Sequence, residues 1–197
     1  MPKRLFDVAV TLLFAPLIIT ITAIMALVLT VELRGSPFFV QTRIGKDGRP
    51  FRMFKLRTLR HAAPGEEPSY AIRDWDSFVF SPSGQREPRL TRMGAFARKT
   101  SIDELPNLIN VFRGEMSIVG PRPEIPEIVR QYPRCYNRRH AVLPGIAGLA
   151  QVSGRSDLTY AETVHYDLQY VDGHSLFSDI VILLRAFAVV LRGSGAR

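Results

Sequence analysis

The sequence predicts a mostly helical α/β protein with an N-terminal helix held in a membrane. Three observations support this fold class. The stretch from Val8 to Val31 carries no charged residue, an Asp47-Gly48 pair separates two short apolar segments, and several later segments repeat their apolar residues at helical spacing. The chain of 197 residues is long enough for one domain with a hydrophobic core.

The composition limits the classes of partner and of metal site. A formal net charge of +8 and an isoelectric point near 10.1 favour a polyanionic partner: nucleic acid, an anionic membrane surface or a phosphorylated substrate. The single cysteine, Cys135, excludes an internal disulfide and a cysteine-based metal cage. The four histidines lack the spacing of a zinc site.

The uncharged stretch is predicted to be a retained membrane anchor. At 1.5 Å per residue, a straight helix from Val8 to Val31 would cross the roughly 30 Å hydrocarbon layer, and the stretch has no small-residue cleavage pattern of a signal peptide. A fully buried helix of a soluble protein is the alternative. Pro16 should break or kink the helix, and basic residues flank both of its ends. A hairpin broken at Pro16, which enters and leaves through one leaflet, satisfies both observations.

A β-hairpin and a loop are predicted to follow. The Asp47-Gly48 pair between apolar runs is a hairpin signal. Lys55 and Arg57 are two residues apart, so they share one side of a strand and could face phosphate or lipid head groups; a solvated strand face is the alternative. Residues 60–88 are rich in Pro, Gly, Ser and acidic residues and are predicted to form a loop or insertion. Its aromatic residues could touch the membrane interface: Trp75, Phe78 and Phe80.

The stretch from Arg98 to Pro123 carries the candidate catalytic residues. Asp103 and Glu104 are adjacent carboxylates, and neighbouring residues of a helix point about 100° apart, so the pair does not flank a glycosidic bond. An ionised aspartate can attack phosphorus directly, and a divalent cation would offset the charge of the second carboxylate. Basic residues surround the pair in the sequence: Arg98, Lys99, Arg113 and Arg122.

Helix capping is the alternative explanation of the acidic pair. Ser101 and Glu104 match a capping box, and Asp103 could itself be the N-cap residue. Apolar residues then recur at helical spacing, which predicts a short amphipathic helix ending near Gly114.

The remaining segments are predicted from their periodicity. A basic amphipathic helix is expected at 89–99, and an interrupted helix at 124–140. The glycine-rich segment from Pro144 to Arg155 could bring its backbone close to an anion, although such segments are often only turns. A helix is expected at 160–171, and an amphipathic interfacial helix at 177–191, for which a core helix is the alternative.

These motifs resemble the bacterial sugar transferases, the monotopic phosphoglycosyl transferases. The core signature is the run Thr-Ser-Ile-Asp-Glu-Leu-Pro-Asn-Leu-Ile-Asn-Val followed by Gly-Glu-Met-Ser-Ile-Val-Gly-Pro-Arg-Pro. Similar text extends over essentially the whole chain, at 41–45, 54–58, 144–155 and 166–170. The resemblance implies a re-entrant anchor at residues 1–33, in which Ala15-Pro16 stands where the family has Ser-Pro. It also implies a small cytoplasmic catalytic domain at 34–197 with a short β-hairpin and amphipathic interfacial helices.

The resemblance further implies an activity. Such enzymes transfer a sugar-1-phosphate from a UDP-sugar to a polyprenol phosphate (undecaprenyl phosphate) at the cytoplasmic face of the bacterial inner membrane and release UMP. The transfer is the first membrane step of a surface glycan. Membrane lipids are implied as further partners, and a homodimer is possible. Nucleic acid is disfavoured because the chain has no recognisable binding motif. A noncatalytic scaffold of a glycan assembly complex is the alternative function.

The resemblance assigns roles to residues of this chain. Asp103 would attack the phosphate, form an aspartyl-phosphosugar and hold Mg²⁺. Glu104 would position the metal or accept a proton, and Arg122 would bind the donor. Supporting substrate-binding roles fall on other polar residues: Arg98, Arg155, Asp167, Lys55 and Arg57.

Overall fold

Helices form most of the regular structure. The computed structural model describes residues 2–62, 70, 72–79, 87–154 and 157–192. Its elements, in chain order, are α1 (Pro2–Leu33), β1 (Phe38–Ile44), β2 (Pro50–Leu56), α2 (Arg92–Lys99), α3 (Leu108–Arg113), β3 (Ser117–Val119), α4 (Pro126–Val129), β4 (Gly145–Ala147), α5 (Leu149–Ser153), α6 (Tyr160–Gly173) and α7 (Leu176–Arg192). Turns of 3₁₀-helix occur at Lys46–Gly48, Ile102–Asn107 and Arg134–Ala141. The predicted class, mostly helical with a short β-hairpin, is confirmed.

Helix α1 is continuous through Pro16, so the predicted break was wrong, while the kink, which was the other expectation, stays a prediction. Within the described residues, α1 is the one helix that is long and apolar enough to cross a membrane, and only 17% of its most apolar window is buried. That low burial contradicts the alternative of a fully buried soluble helix. The exposed side chains of α1 are large and apolar: Leu5, Leu12, Leu13, Phe14, Leu17, Ile19, Ile24, Leu27 and Val31.

Both ends of α1 are fixed to the same domain. Near its start, Lys3 Nζ lies 2.6 Å from Asp179 Oδ2 of α7, and the buried carboxylate of Asp7 accepts a hydrogen bond of 2.8 Å from Ser117 Oγ of β3. Near its end, Glu32 Oε1 accepts a hydrogen bond of 2.9 Å from the backbone N–H of Arg92. Both ends of the helix are therefore bound to the same domain, and its buried residues lie in these two parts of the helix.

The predicted hairpin is present. Strands β1 and β2 pair antiparallel from Phe38 opposite Leu56 to Ile44 opposite Pro50. The other edge of β2 is covered by the side chain of Asn110, which accepts from the N–H of Phe54 at 3.2 Å and donates to the carbonyl of Arg52 at 2.7 Å. The amide thus takes the place of a neighbouring strand. This packing fixes β2 against the segment that carries the acidic pair.

Strands β3 and β4 pair in parallel at very close range. A Cβ atom built on Gly145 would lie 2.0 Å from the backbone N of Gly120, and one on Gly148 would lie 2.8 Å from the carbonyl oxygen of Gly120. These two glycines, which belong to the predicted anion-binding segment, therefore pack directly against the backbone of Gly120. They hold β4 against the Gly-Pro-Arg-Pro turn, while Arg155 at the end of the segment lies outside the described residues.

Replacing Gly145 by alanine should destabilise the protein by about 3 kcal/mol, because the added methyl group forces the two strands apart. For a chain of this size the melting temperature should fall by roughly 6–12 °C. Gly173 is the matched control, since a Cβ atom there meets nothing within 4 Å. Gly173→Ala should leave the melting temperature unchanged or slightly raised. Equal melting temperatures for the two variants would contradict the close packing.

The segment around Trp75 packs against aromatic residues of the domain, whereas contact of Trp75 and Phe78 with a membrane interface stays a prediction. The Trp75 ring lies 5.0 Å from the Tyr160 ring and 5.6 Å from the Tyr132 ring. The N–H of Tyr160 donates to the carbonyl of Phe78 at 2.7 Å. Phe80 lies outside the described residues.

The later helices agree with the periodicity in most places. Helix α2 begins after Thr91, whose side chain accepts from the N–H of Gly94, and α6 begins with a capping box of Thr159 and Glu162. Helix α7 buries Ile182 and Asp179 and exposes apolar side chains on another face, as an amphipathic helix does. The helix expected at 124–140 is only the short α4 and a 3₁₀ turn, because Pro133 separates them.

Candidate active site

The acidic pair lies on the 3₁₀ turn Ile102–Asn107. Ser101, just before it, has a left-handed backbone with φ of 58°, and its side chain makes no capping hydrogen bond. The capping box was therefore a wrong explanation of the pair, and Asp103 lies inside the turn instead of capping it. A non-glycine residue in this conformation is strained, and such strain is common at functional sites. Helix α3 follows and ends at Gly114, as predicted.

Two cations hold Glu104. Lys55 Nζ from β2 and Arg122 Nη2 from the turn after β3 each lie 2.8 Å from Glu104 Oε1. Burial alone would raise the pKa of Glu104, but the positive charges of Arg122 and Lys55 outweigh burial and hold this pKa well below its ordinary value. Glu104 is therefore a permanently ionised carboxylate. Arg122 remains 44% exposed, so its outer side can meet a ligand.

Asp103 has a different environment. Its side chain is buried, and in the described part of the chain no basic residue forms an ion pair with it. Burial, and after it the charge of Glu104, raise the pKa of Asp103 to about 6. The carboxylate is thus mostly ionised at neutral pH but not neutralised by a partner. Neighbouring carboxylates whose environments separate their pKa values have separate chemical roles.

Arg98 completes the basic surroundings of the pair. Its Nε donates to Thr58 Oγ1 at 2.9 Å. Burial lowers the pKa of Arg98, while the negative charge of Asp103 raises it, so the guanidinium lies within electrostatic reach of that carboxylate. The structure therefore brings together most of the predicted site: Asp103, Glu104, Lys55, Arg98 and Arg122.

Two other predicted substrate-binding residues do not reach the acidic pair. Strand β2 ends at Leu56, so Arg57 does not continue the alternation that begins at Lys55, and its guanidinium contacts His61. Asp167 is fully buried and pairs with the guanidinium of Arg139. Arg155, as noted, lies outside the described residues.

Arg139 is a buried residue that supports the backbone of the site, and the sequence analysis missed it. Its side chain is buried, and besides the pair with Asp167 it donates to Tyr160 OH at 2.8 Å. It also donates to the backbone carbonyl of Arg122 at 3.0 Å. Because Arg122 in turn holds Glu104, the buried pair of Arg139 and Asp167 positions this part of the site. Nothing in the run Arg138-Arg139-His140 distinguishes it from a solvated basic segment.

Arg43 was also missed. Its Nη1 donates to Glu124 Oε1 at 3.3 Å and to the carbonyl of Pro123 at 3.1 Å, next to Arg122. Burial lowers the pKa of Arg43, the charge of Glu124 raises it, and Arg122 lowers it again. Arg43 thus fixes the Gly-Pro-Arg-Pro turn from the side of β1. The only signal for it was its place in the family-like text at 41–45.

Comparison with known proteins identifies relatives along the whole chain. The family model described as bacterial sugar transferase matches residues 1–193. A UDP-galactose-lipid carrier transferase of Erwinia amylovora is 38% identical over 200 residues, which cover 98% of this chain and 41% of that protein.

Two further relatives differ in length. The exopolysaccharide production protein ExoY of Rhizobium meliloti is 38% identical over 206 residues, covering 100% of this chain and 88% of that protein. A UDP-N-acetylgalactosamine-undecaprenyl-phosphate N-acetylgalactosaminephosphotransferase of Aeromonas hydrophila is 35% identical over 202 residues, covering 99% of this chain and 45% of that protein. The chain thus spans less than half of the Erwinia and Aeromonas proteins and most of ExoY. It belongs to the bacterial sugar transferase family.

Proposed function

We propose that this protein transfers a sugar-1-phosphate from a UDP-sugar to a polyprenol phosphate and releases UMP. The observation that carries the proposal is the difference between the two carboxylates of the acidic pair. Glu104 forms ion pairs with two cations, whereas the neighbouring Asp103 is ionised at neutral pH and forms no ion pair in the described part of the chain. The name of the Aeromonas relative gives a UDP-sugar as donor and undecaprenyl phosphate as acceptor for that protein. The Erwinia relative is named for a different sugar, so the sugar itself is left to experiment.

The chemistry has two displacements at one phosphorus. An oxygen of Asp103 attacks the phosphorus that carries the sugar, the bond to the bridging oxygen breaks, and UMP leaves with that oxygen. The phosphate oxygen of the polyprenol phosphate then attacks the same phosphorus, and the carboxylate of Asp103 leaves. The products are UMP and a polyprenyl diphosphate sugar.

The basic residues would stabilise the charge that moves during both steps. Lys55, Arg98 and Arg122 lie near the acidic pair, and Arg122 can bind phosphate oxygens with its fork of N–H groups. Glu104 keeps Lys55 and Arg122 in place. A role for Glu104 in accepting the acceptor's proton is compatible with this position.

The acidic pair could bind Mg²⁺ only together with the phosphate oxygens of the donor. In the described ranges no cluster of three acidic, histidine or cysteine side chains could hold a metal alone. Mg²⁺ commonly takes one or two carboxylates and completes its shell with substrate phosphates and water. Asp103 would supply such a carboxylate, and the ion would neutralise charge on the diphosphate.

The position of α1 supports a site at one membrane surface, and we propose that this surface is the cytoplasmic one. Its outer face is apolar and exposed, yet Lys3, Asp7 and Glu32 bind the same domain from its two ends. A helix crossing the bilayer would carry its ends to opposite sides. The packing therefore favours an anchor that stays in one leaflet, with a lipid acceptor and a soluble donor meeting at the domain surface.

The test is UMP release by the detergent-solubilised full chain from a panel of UDP-sugars, with undecaprenyl phosphate and Mg²⁺. We expect repeated turnover with at least one sugar, and loss of that turnover when EDTA is added or the lipid is left out. Parallel thermal unfolding shows whether the protein is folded in the assay. Folded protein that releases UMP from no sugar would favour the noncatalytic scaffold.

A further inference from the structure

Among the three cations near the acidic pair, Arg98 is the one that forms no ion pair with a carboxylate in the described part of the chain. Lys55 and Arg122 both bind Glu104. The Nε of Arg98 donates to Thr58 Oγ1 at 2.9 Å, and within the described ranges its two terminal nitrogens make no hydrogen bond. A guanidinium can bind two oxygens of one phosphate. The terminal nitrogens of Arg98 are therefore free to bind a phosphate.

Thr58, the acceptor of this hydrogen bond, is itself held in place. Its side chain and backbone together are 5% exposed. Its carbonyl oxygen accepts from the N–H of Thr91 at 3.2 Å and from the hydroxyl of Thr91 at 3.3 Å. The first turn of α2 packs on the same oxygen, since a Cβ atom built on Gly94 would lie 2.3 Å from it. The hydroxyl of Thr58 is therefore a fixed acceptor, and it determines the direction in which Arg98 points its terminal nitrogens.

The hydrogen bond between Arg98 and Thr58 is not needed to place α2. At the start of the helix, Glu32 accepts from two of its backbone N–H groups, and the side chain of Thr91 accepts from a third. Near the end of the helix, Ala97 is fully buried in the core. The helix should therefore keep its position without the side-chain bond. What the bond adds is the orientation of a cation.

The nearest opposite charge indicates the target of that orientation. Burial lowers the pKa of Arg98, and the charge of Asp103 is the largest influence that raises it. Because Asp103 attacks the phosphate that carries the sugar, that phosphate should meet the Arg98 guanidinium as well. We propose that Thr58 is a positioning residue, which aims the terminal nitrogens of Arg98 at this phosphate of the UDP-sugar. This inference rests on the proposed function and adds to it how one of the cations is oriented.

The affinities for UDP and UMP give a test that does not need turnover. UDP keeps the phosphate that carries the sugar in the UDP-sugar, whereas UMP lacks it, so a contact with this phosphate changes the affinity for UDP alone. Thr58→Val keeps the shape and the backbone carbonyl of Thr58 but removes the acceptor for Arg98. It should weaken UDP binding about fivefold and UMP binding less than about twofold. Binding is measured by titration calorimetry on the full chain in detergent with Mg²⁺.

Three further variants separate orientation from a general loss of structure. Thr58→Ser keeps the hydroxyl and should keep the ratio of the UDP and UMP affinities. Thr100→Val removes a hydroxyl at the end of the same helix, where it donates to the carbonyl of Phe96 at 2.8 Å, and should also keep the ratio. Arg98→Lys has no planar guanidinium to orient, so adding Thr58→Val to it should change the ratio no further. Melting temperatures show whether each variant is folded.

The outcomes separate this inference from the proposed function. An unchanged ratio in Thr58→Val, an equal loss in Thr58→Ser, or UDP binding no tighter than UMP binding in the unmodified protein would overturn the inference even if the enzyme turns over. A lower ratio in Thr58→Val alone, in a protein that transfers no sugar phosphate, would support the inference and reject the proposed reaction. If Thr58→Val does not fold, Arg98→Lys replaces it: it keeps the charge but loses the orienting bond, and an unchanged ratio would overturn the inference.

Discussion

Asp103→Asn should lower turnover by at least about 10⁴-fold and leave the protein folded. An amide has nearly the shape of the carboxylate but cannot form the bond to phosphorus. The substitution should also raise the melting temperature by a few degrees. Burial and the charge of Glu104 raise the pKa of Asp103 to about 6. The ionised carboxylate is therefore unfavourable in the folded state, and the stability of the folded protein falls as the pH rises from the ordinary pKa of an aspartate to about 6. The measurements are initial rates of UMP release and thermal unfolding at neutral pH.

Asp47→Asn is the control for this prediction. Asp47 is exposed at the hairpin turn and has a left-handed backbone with φ of 58°, a conformation that asparagine adopts readily. Asp47→Asn also replaces a carboxylate by an amide, but away from the acidic pair. It should alter neither the rate of UMP release nor the melting temperature. Activity of Asp103→Asn near that of the unmodified protein would reject Asp103 as the nucleophile. A fall in its melting temperature would instead show that Asp103 is part of the structural framework.

Elements set by local pattern could be predicted from the sequence. The uncharged stretch predicted α1, and the Asp47-Gly48 pair predicted the hairpin turn, because each signal lies within the element that it specifies. The break predicted at Pro16 does not occur, because a proline removes only one hydrogen bond of the helix and the remaining bonds keep α1 continuous.

Features set by distant contacts could not be predicted. Trp75 lies in a segment of loop composition, and only the fold reveals the tyrosines that surround it. At the site, the acidic pair and its nearby arginines lie in one stretch of the sequence, so they could be predicted as parts of one site. Lys55 and Arg57 were equivalent in sequence, and the end of β2 separates them.

The pair of Arg139 and Asp167 shows the same limit most clearly. The two residues are 28 positions apart, and each taken alone has the appearance of an ordinary charged residue. Asp167 was assigned to the substrate because it lies in a family-like motif. In the structure its carboxylate pairs with the buried guanidinium of Arg139, which also donates to the backbone carbonyl of Arg122.

Asp167→Ala should therefore destabilise the protein by about 3–5 kcal/mol, because it leaves the buried charge of Arg139 without its main partner. The melting temperature should fall by roughly 10 °C or more. Combining Asp167→Leu with Arg139→Met should be less harmful than Asp167→Ala alone, since the unpaired charge is removed as well. Thermal unfolding of the single and combined variants measures this coupling.

The neighbouring pair of Arg138 and Asp172 provides a control on the same two segments. Its atoms lie 2.6 Å apart, but the side chains are 60% and 59% exposed, so Asp172→Ala should lower the melting temperature by less than about 2 °C. If Asp167 instead contacts the donor, Asp167→Ala would raise the KM for the UDP-sugar and leave the melting temperature almost unchanged. Our structural assignment requires the opposite order of effects: a large loss of stability, with activity lost because Arg122 and, through it, Glu104 are no longer held in place.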